Sequence, residues 1–276
     1  MSKPLPTWLK GTGLGCLGLL VLLVMAAIVG TVFVNVSGQR DIATLAQLDR
    51  EHPDAGAYTP PVDGRIPADR LAKFLAVRRA LAAHCGEIAD ATQRFSRMAE
   101  YSEADEDSLR MREFFGDTGR ALGGMFKLAG RIGRYLEQRN RALLAEGMGL
   151  GEYTWIQVTA YQGWLREPHR RFALAREDEP RIFQDRVVPQ VREMIRRHLE
   201  ARERAGAAPS ELAPWRQELA ALTADPERAP FADGVPPEVA ASLEPFRAEL
   251  RAVWCPATCE LDLTVTTREG IGFEHI

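Results

Sequence analysis

The chain has 276 residues, enough for one large or two modest domains once a membrane segment and its flanks are set aside. A hydrophobic share of 46%, a charged share of 26% and a net charge of −3 are ordinary for a globular protein. They argue against both a general nucleic-acid binder and a strongly acidic protein.

The first predicted element is residues 11–34, GTGLGCLGLLVLLVMAAIVGTVFV, which carry no charge. Their length matches the roughly 20 residues that a helix needs to cross a bilayer. Lys3 and Lys10 precede this run, which exceeds the roughly 7–15 apolar residues of a secretory signal. The expectation is therefore a transmembrane anchor. Lys3, Lys10 and the amino terminus, set against Arg40 and Arg50 beyond the run, orient it with the N-terminus in the cytoplasm. Residues 1–10 are then a short cytoplasmic tail, and the rest is extracytoplasmic, periplasmic if the cell is Gram-negative.

Residues 35–66 read as a juxtamembrane helix followed by an extended spacer, because Pro53, Pro60, Pro61 and Pro67 restrict the backbone. From Pro67 to about Tyr101, Phe74, Leu75, Leu81, Ala82, Cys85, Ile88, Ala89 and Phe95 recur at helical steps. A second long helix is predicted over about 107–145, with Gly147 as its stop. Gly116, Gly119, Gly123, Gly130 and Gly133 share one sector of it, beside the stripe of Phe115, Leu122, Phe126, Ala129 and Leu136. Glycines weaken a helix interior, so this seam points to close packing by a neighbouring helix. Arg112, Arg120, Lys127, Arg131, Arg134 and Arg141 form a basic row beyond the seam, which reads mainly as a solvated face.

Residues 147–165 are the most aromatic segment outside the membrane run. A helix apolar on most sides belongs at the centre of its domain. Glu152, Tyr153, Gln157, Tyr161 and Trp164 could line a small-ligand pocket there, or simply satisfy one another in the core. Further helices are predicted near 181–205, with Pro189 as an interruption or the true start and Gly206 as the stop, then near 211–224 with Ser210 as cap, and near 237–253. The segment ELDLTVTTREGIGF, residues 260–273, alternates like a strand, with Leu261, Leu263 and Val265 on one side.

No nucleotide-binding, serine-hydrolase, zinc-protease or haem-attachment motif occurs, and His52, His84, His169, His198 and His275 are scattered. No catalytic residue, metal site or cofactor is expected. The sharpest local feature is Cys255-Pro-Ala-Thr-Cys259. Outside the cytoplasm its default role is a structural disulfide, either Cys255–Cys259 or a link from one of them to Cys85.

The fold class expected is mainly α: one transmembrane helix, a helical bundle over 67–206, and a C-terminal helical subdomain over 207–276 ending in a short β segment. The function expected is a membrane-anchored envelope scaffold, chaperone or binding module with a protein partner and no nucleic acid. The alternative is a ligand-binding protein or enzyme whose pocket lies between the glycine-rich and aromatic helices.

Overall fold

The computed structural model describes residues 43–53, 58–103, 111–167, 169 and 181–263, with side chains described outside 94–126. The predicted membrane run at 11–34 lies outside these residues. Among the described residues no helix is long and apolar enough to cross a membrane. Those residues are mainly helical and contain no strand.

A short helix, α1, spans residues 43–51 and buries Leu45 and Leu48, three residues apart on one face. Residues 58–67, expected to hold the domain clear of the lipid, lie on the body instead. Pro60 and Ile66 are buried, and the Ile66 N–H donates to Ser242 Oγ at 3.2 Å. Prolines stiffen this stretch without keeping it apart, because Ile66 gains more by leaving water.

The two long helices are α2 (Ala68–Glu103) and α3 (Met111–Glu146), packed along each other. His84 lies edge-on to Tyr135, and Arg131 Nη1 donates to the Glu87 carbonyl at 3.4 Å, which fixes an antiparallel register. The glycines of α3 do not break it. It stops at Gly147, where φ is +59. The Gly147 N–H bonds the Leu144 carbonyl and the Met148 N–H bonds the Leu143 carbonyl, the paired closure that a left-handed residue permits. On α2 the buried face is Leu71, Phe74, Leu75, Val77, Arg78, Leu81, Ile88 and Thr92, whereas Ala82 and Ala89 are exposed. On α3 Leu128, Tyr135, Leu136, Arg139 and Leu143 face inward, and Ala129 is exposed.

The aromatic segment is the central element, as its composition predicts. Helix α4 (Leu150–Gln157) continues without a break into a π-helical turn (Val158–Trp164), and every residue from Leu150 to Gly163 is buried. Trp155 stacks on Trp215 of α6 (Pro209–Ala224) and meets Phe231 edge-on. Before α6, helix α5 (Val188–Arg204) is entered through a π-helical turn (Phe183–Val187), because Pro189 cannot donate within the first turn. Ser210, expected as the cap of α6, lies inside its first turn instead. The helix starts two residues earlier than expected, at Pro209, whose fixed φ suits that position, and no side chain caps it.

The single helix expected near 237–253 is three pieces: α7 (Pro237–Leu243), a 3₁₀ turn (Glu244–Phe246) and α8 (Arg247–Ala252). Pro245 removes a donor where a continuous helix would need one. The expected terminal strand is corrected at its start: Cys259–Leu263 form a helix, α9, with all five residues buried. Residues 264–276 lie outside the described residues. One hydrophobic cluster takes side chains from α1 through α9.

Candidate functional site: a buried carboxylate among arginines and tyrosines

Helix α9 is far shorter than a helix that is stable by itself. Its polar hold on the body centres on Asp262, which is 1% exposed. A carboxylate so buried is tolerated only with charged and hydrogen-bonding partners. Arg78 of α2 approaches one oxygen at 2.5 Å through Nη1, and Gln157 Nε2 donates to the same oxygen at 3.3 Å. Tyr135 of α3 donates its hydroxyl to the other oxygen, and Tyr153 of α4 does so at 3.2 Å. Thr258 Oγ1 adds a contact at 3.4 Å. Arg139 Nη1 donates to the carbonyls of Leu261 and Asp262, at 2.9 and 3.0 Å, which satisfies the end of α9.

Electrostatics keep the Arg78 guanidinium and the surrounding phenols in one protonation state. Burial alone would lower the Arg78 guanidinium, but the facing Asp262 carboxylate together with Tyr153, Tyr135 and Tyr161 outweighs it and holds the group well above its usual value. Burial first, and then Asp262, pushes the Tyr135 and Tyr153 phenols up, so both remain neutral donors. Burial likewise raises Tyr161 to about 12. A carboxylate fully enclosed by such partners has no path to substrate. Its chemistry is cohesion between α9 and the three helices that receive it.

The expected pocket residues are divided by this arrangement. Tyr153 and Gln157 belong to the Asp262 cluster. Tyr161 donates instead to the Leu250 carbonyl at 3.1 Å and packs on Trp254. Glu152 pairs with Arg70 of α2, and burial of Arg70 is outweighed by that hydrogen bond, which raises the guanidinium. Trp164 is half-buried beneath Arg247, whose guanidinium carbon lies 4.2 Å from the ring centre. Two surface grooves open elsewhere. One, of about 320 Å³, lies between α2 and α3 beside Ala76, Ala80, Ala142 and Ala145. The other, of about 220 Å³, lies beside Pro214, Glu218, Phe231 and Pro236.

Of the glycine seam, Gly130 is buried and Gly133 half-buried, while Gly116, Gly119 and Gly123 sit within α3 among residues whose side chains are not described. In the basic row Lys127 and Arg134 are exposed and Arg131 reaches Glu87, while Arg112 and Arg120 share the undescribed side-chain stretch. Cys85 of α2 and Cys255 form a disulfide, with Cα atoms 5.9 Å apart and 170 residues between them in sequence. Cys259 is buried and stands outside that bond. Among the described residues no three His, Cys, Asp or Glu side chains converge as metal ligands.

Sequence patterning does not single out Arg78, Tyr135, Arg139 and Asp262. A signal exists for Arg78, which falls at the inner phase of α2 between Phe74 and Leu81. A charged residue at a core position demands a buried partner. Asp262 offers none, because its setting reads as alternation. No protein-family model, curated protein or solved structure matches this chain.

Proposed function

We propose that the chain is a membrane-anchored envelope protein in which residues 11–34 are the anchor. Its extracytoplasmic helical domain serves as a scaffold, chaperone or binding module for a protein partner. The observation that carries this reading is the Cys85–Cys255 disulfide. Disulfides of this kind persist in oxidising compartments and are rare in the cytosol, which supports an extracytoplasmic domain. The disulfide joins α2 to the segment just before α9, and past Ile88 α2 continues to Glu103 beside α3. That is roughly 20 Å of paired helix at about 1.5 Å per residue, a natural surface for a partner. Part of the basic row runs along this stretch of α3, where Lys127 is exposed.

A binding surface is favoured over a ligand pocket for a specific reason. Glu152, Tyr153, Gln157 and Tyr161 direct their hydrogen bonds to Arg70, Asp262 and the Leu250 carbonyl. Crosslinking in native membranes, followed by identification of the attached protein, tests the reading. The expected result is a specific partner whose capture is lost when Arg120 and Arg131 are reversed to glutamate. Reporter fusions after Gln39 test the topology, and activity of a reporter that works only in the cytoplasm overturns it.

A further inference from the structure

Residues 58–66 cross the body as a non-helical strap that leads into α2, with Pro60, Gly64 and Ile66 buried. Gly64 has a φ of +73, and a Cβ there would lie 2.8 Å from Glu238 Cγ, so the strap sits on α7 as closely as glycine allows. Beneath it lies an unusual core residue. His198 of α5 is fully buried, its ring nitrogens are shut off from water, and neither completes a hydrogen bond of normal geometry. The groups around it come from four elements: the Trp215 ring of α6, centred 4.3 Å away, the Pro60 carbonyl and Asp63 of the strap, Glu238 of α7, and Arg202 one turn along α5. A leucine would fill such a position without stranding a polar group, so the imidazole points to a role beyond packing. The two carboxylates facing it are already engaged. Glu238 Oε1 accepts from Trp215 Nε1 at 2.9 Å and from Arg202 Nη1 at 3.0 Å, and Asp63 accepts the Arg65 N–H at 3.0 Å. Arg202 also pairs with Glu211 of α6 at 3.0 Å.

We propose that residues 58–66 are an acid-released strap, opened when His198 beneath them takes up a proton. In the closed form that proton would place a second cation beside Arg202, with no water to solvate it. The strap is the covering element that yields at least cost. Two of its backbone bonds stay within it, from the Gly64 N–H to the Pro61 carbonyl and from the Arg65 N–H to Asp63. Pro60 and Pro61 have no N–H to give, and the Ile66 N–H donates to the Ser242 side chain. Opening it breaks fewer backbone bonds than opening α5 or α6, and such segments open locally. Once open, the imidazole meets water and titrates near the ordinary value of about 6.5. Closed, burial lowers it to about 4, helped by Arg202 and opposed by the Pro60 carbonyl, Glu238 and Asp63. Between those two values the open form binds a proton that the closed form refuses, so closure is complete above about pH 6.5 and weakens as pH falls. Acid then bares Glu238 and the imidazole to solvent while the helices stay packed.

The test is hydrogen exchange on the purified full-length protein in detergent at pH 7.5 and pH 5.0. Protection is taken relative to the intrinsic exchange rate at each pH, which removes the direct effect of acid on exchange. The reporters are the amides of Gly64, Arg65 and Ile66, each hydrogen-bonded in the closed form. Their protection is expected to fall roughly tenfold at pH 5.0, while that of α6 stays within about twofold. In His198→Asn, which keeps a polar group but gains no proton, the strap should lose no protection at pH 5.0. His198→Phe should behave alike, and it retains an aromatic ring against Trp215, so a folding defect of the asparagine variant does not mask the outcome. The wild type alone decides the first point: unchanged strap protection, or an equal fall in the strap and α6, overturns the proposal. A strap that still loses protection at pH 5.0 in either His198 variant overturns it too, and assigns the response to Asp63 and Glu238.

Discussion

At Asp262 five donors from four segments meet one carboxylate, and each loses an acceptor without it. Removing one member of a buried ion pair strands the other, which costs about 3–5 kcal/mol. Asp262→Ala is accordingly expected to lower the unfolding free energy by about that much, measured by urea titration. Adding Arg78→Met to the same chain removes the stranded cation, so the double variant is expected to be more stable than Asp262→Ala alone. If the double variant is instead less stable by the sum of both losses, Arg78 is held mainly by contacts other than Asp262. Its donation to the Val253 carbonyl at 3.2 Å is the contact that would then dominate.

Helix positions were legible wherever a long apolar stripe recurs at helical spacing, as along α2 and α5, because burial of one face decides such elements. The stops at Gly147 and Gly206 were legible for a backbone reason: both adopt a positive φ, which glycine takes without strain. What the sequence hid were elements set by tertiary contact. Five residues at 259–263 carry no helical period, and α9 is held by side chains remote in sequence, among them Arg78, Tyr135 and Arg139. The same holds for the candidate site. Tyr153 and Gln157 could be read as polar groups in need of partners, but Asp262, which satisfies them, could not be placed beside them. The π-helical turn offers a test at this scale. A Cβ on Gly163 would lie 2.7 Å from both Phe231 Cβ and Val235 Cγ1. Gly163→Ala is expected to destabilise the protein by about 1–3 kcal/mol through overpacking, read as a lower thermal midpoint. Helix α1 offers another: Leu48 is 1% exposed, so Leu48→Ala should cost about 2–5 kcal/mol if α1 belongs to the folded body. Lys127→Ala, on the exposed face of α3, should stay within about 0.5 kcal/mol of the parent.

At the scale of the whole molecule, two histidines among the described residues make stability depend on acid. His198 is fully buried against Trp215, with ring centres 4.3 Å apart, and burial lowers it to about 4. The Pro60 carbonyl, Glu238 and Asp63 oppose that shift, while the neighbouring Arg202 guanidinium adds to it. His169 stacks on Phe183, and burial lowers it to about 4 as well. In the unfolded chain a histidine titrates near 6.5, so below that pH the unfolded state binds protons that the folded state refuses. The stability from neutral, buried histidine is therefore complete above about pH 6.5 and is lost as pH falls toward about 4. For His198 this amounts to about 2 kcal/mol once solvent screening is allowed for. The exposed carboxylates act in a lower window. Hydrogen bonds from Arg196 and Arg197 bring Glu193 down to about 2, so its contribution is present above about pH 4.5 and lost only below it. Thermal midpoints measured from pH 7.5 to 4.5 should fall mainly through the histidine window, and more gently in His198→Asn, which has no proton to gain. A profile that is flat to pH 4.5 and breaks only below it would assign the acid response to the carboxylates and leave the buried histidines without a part in it.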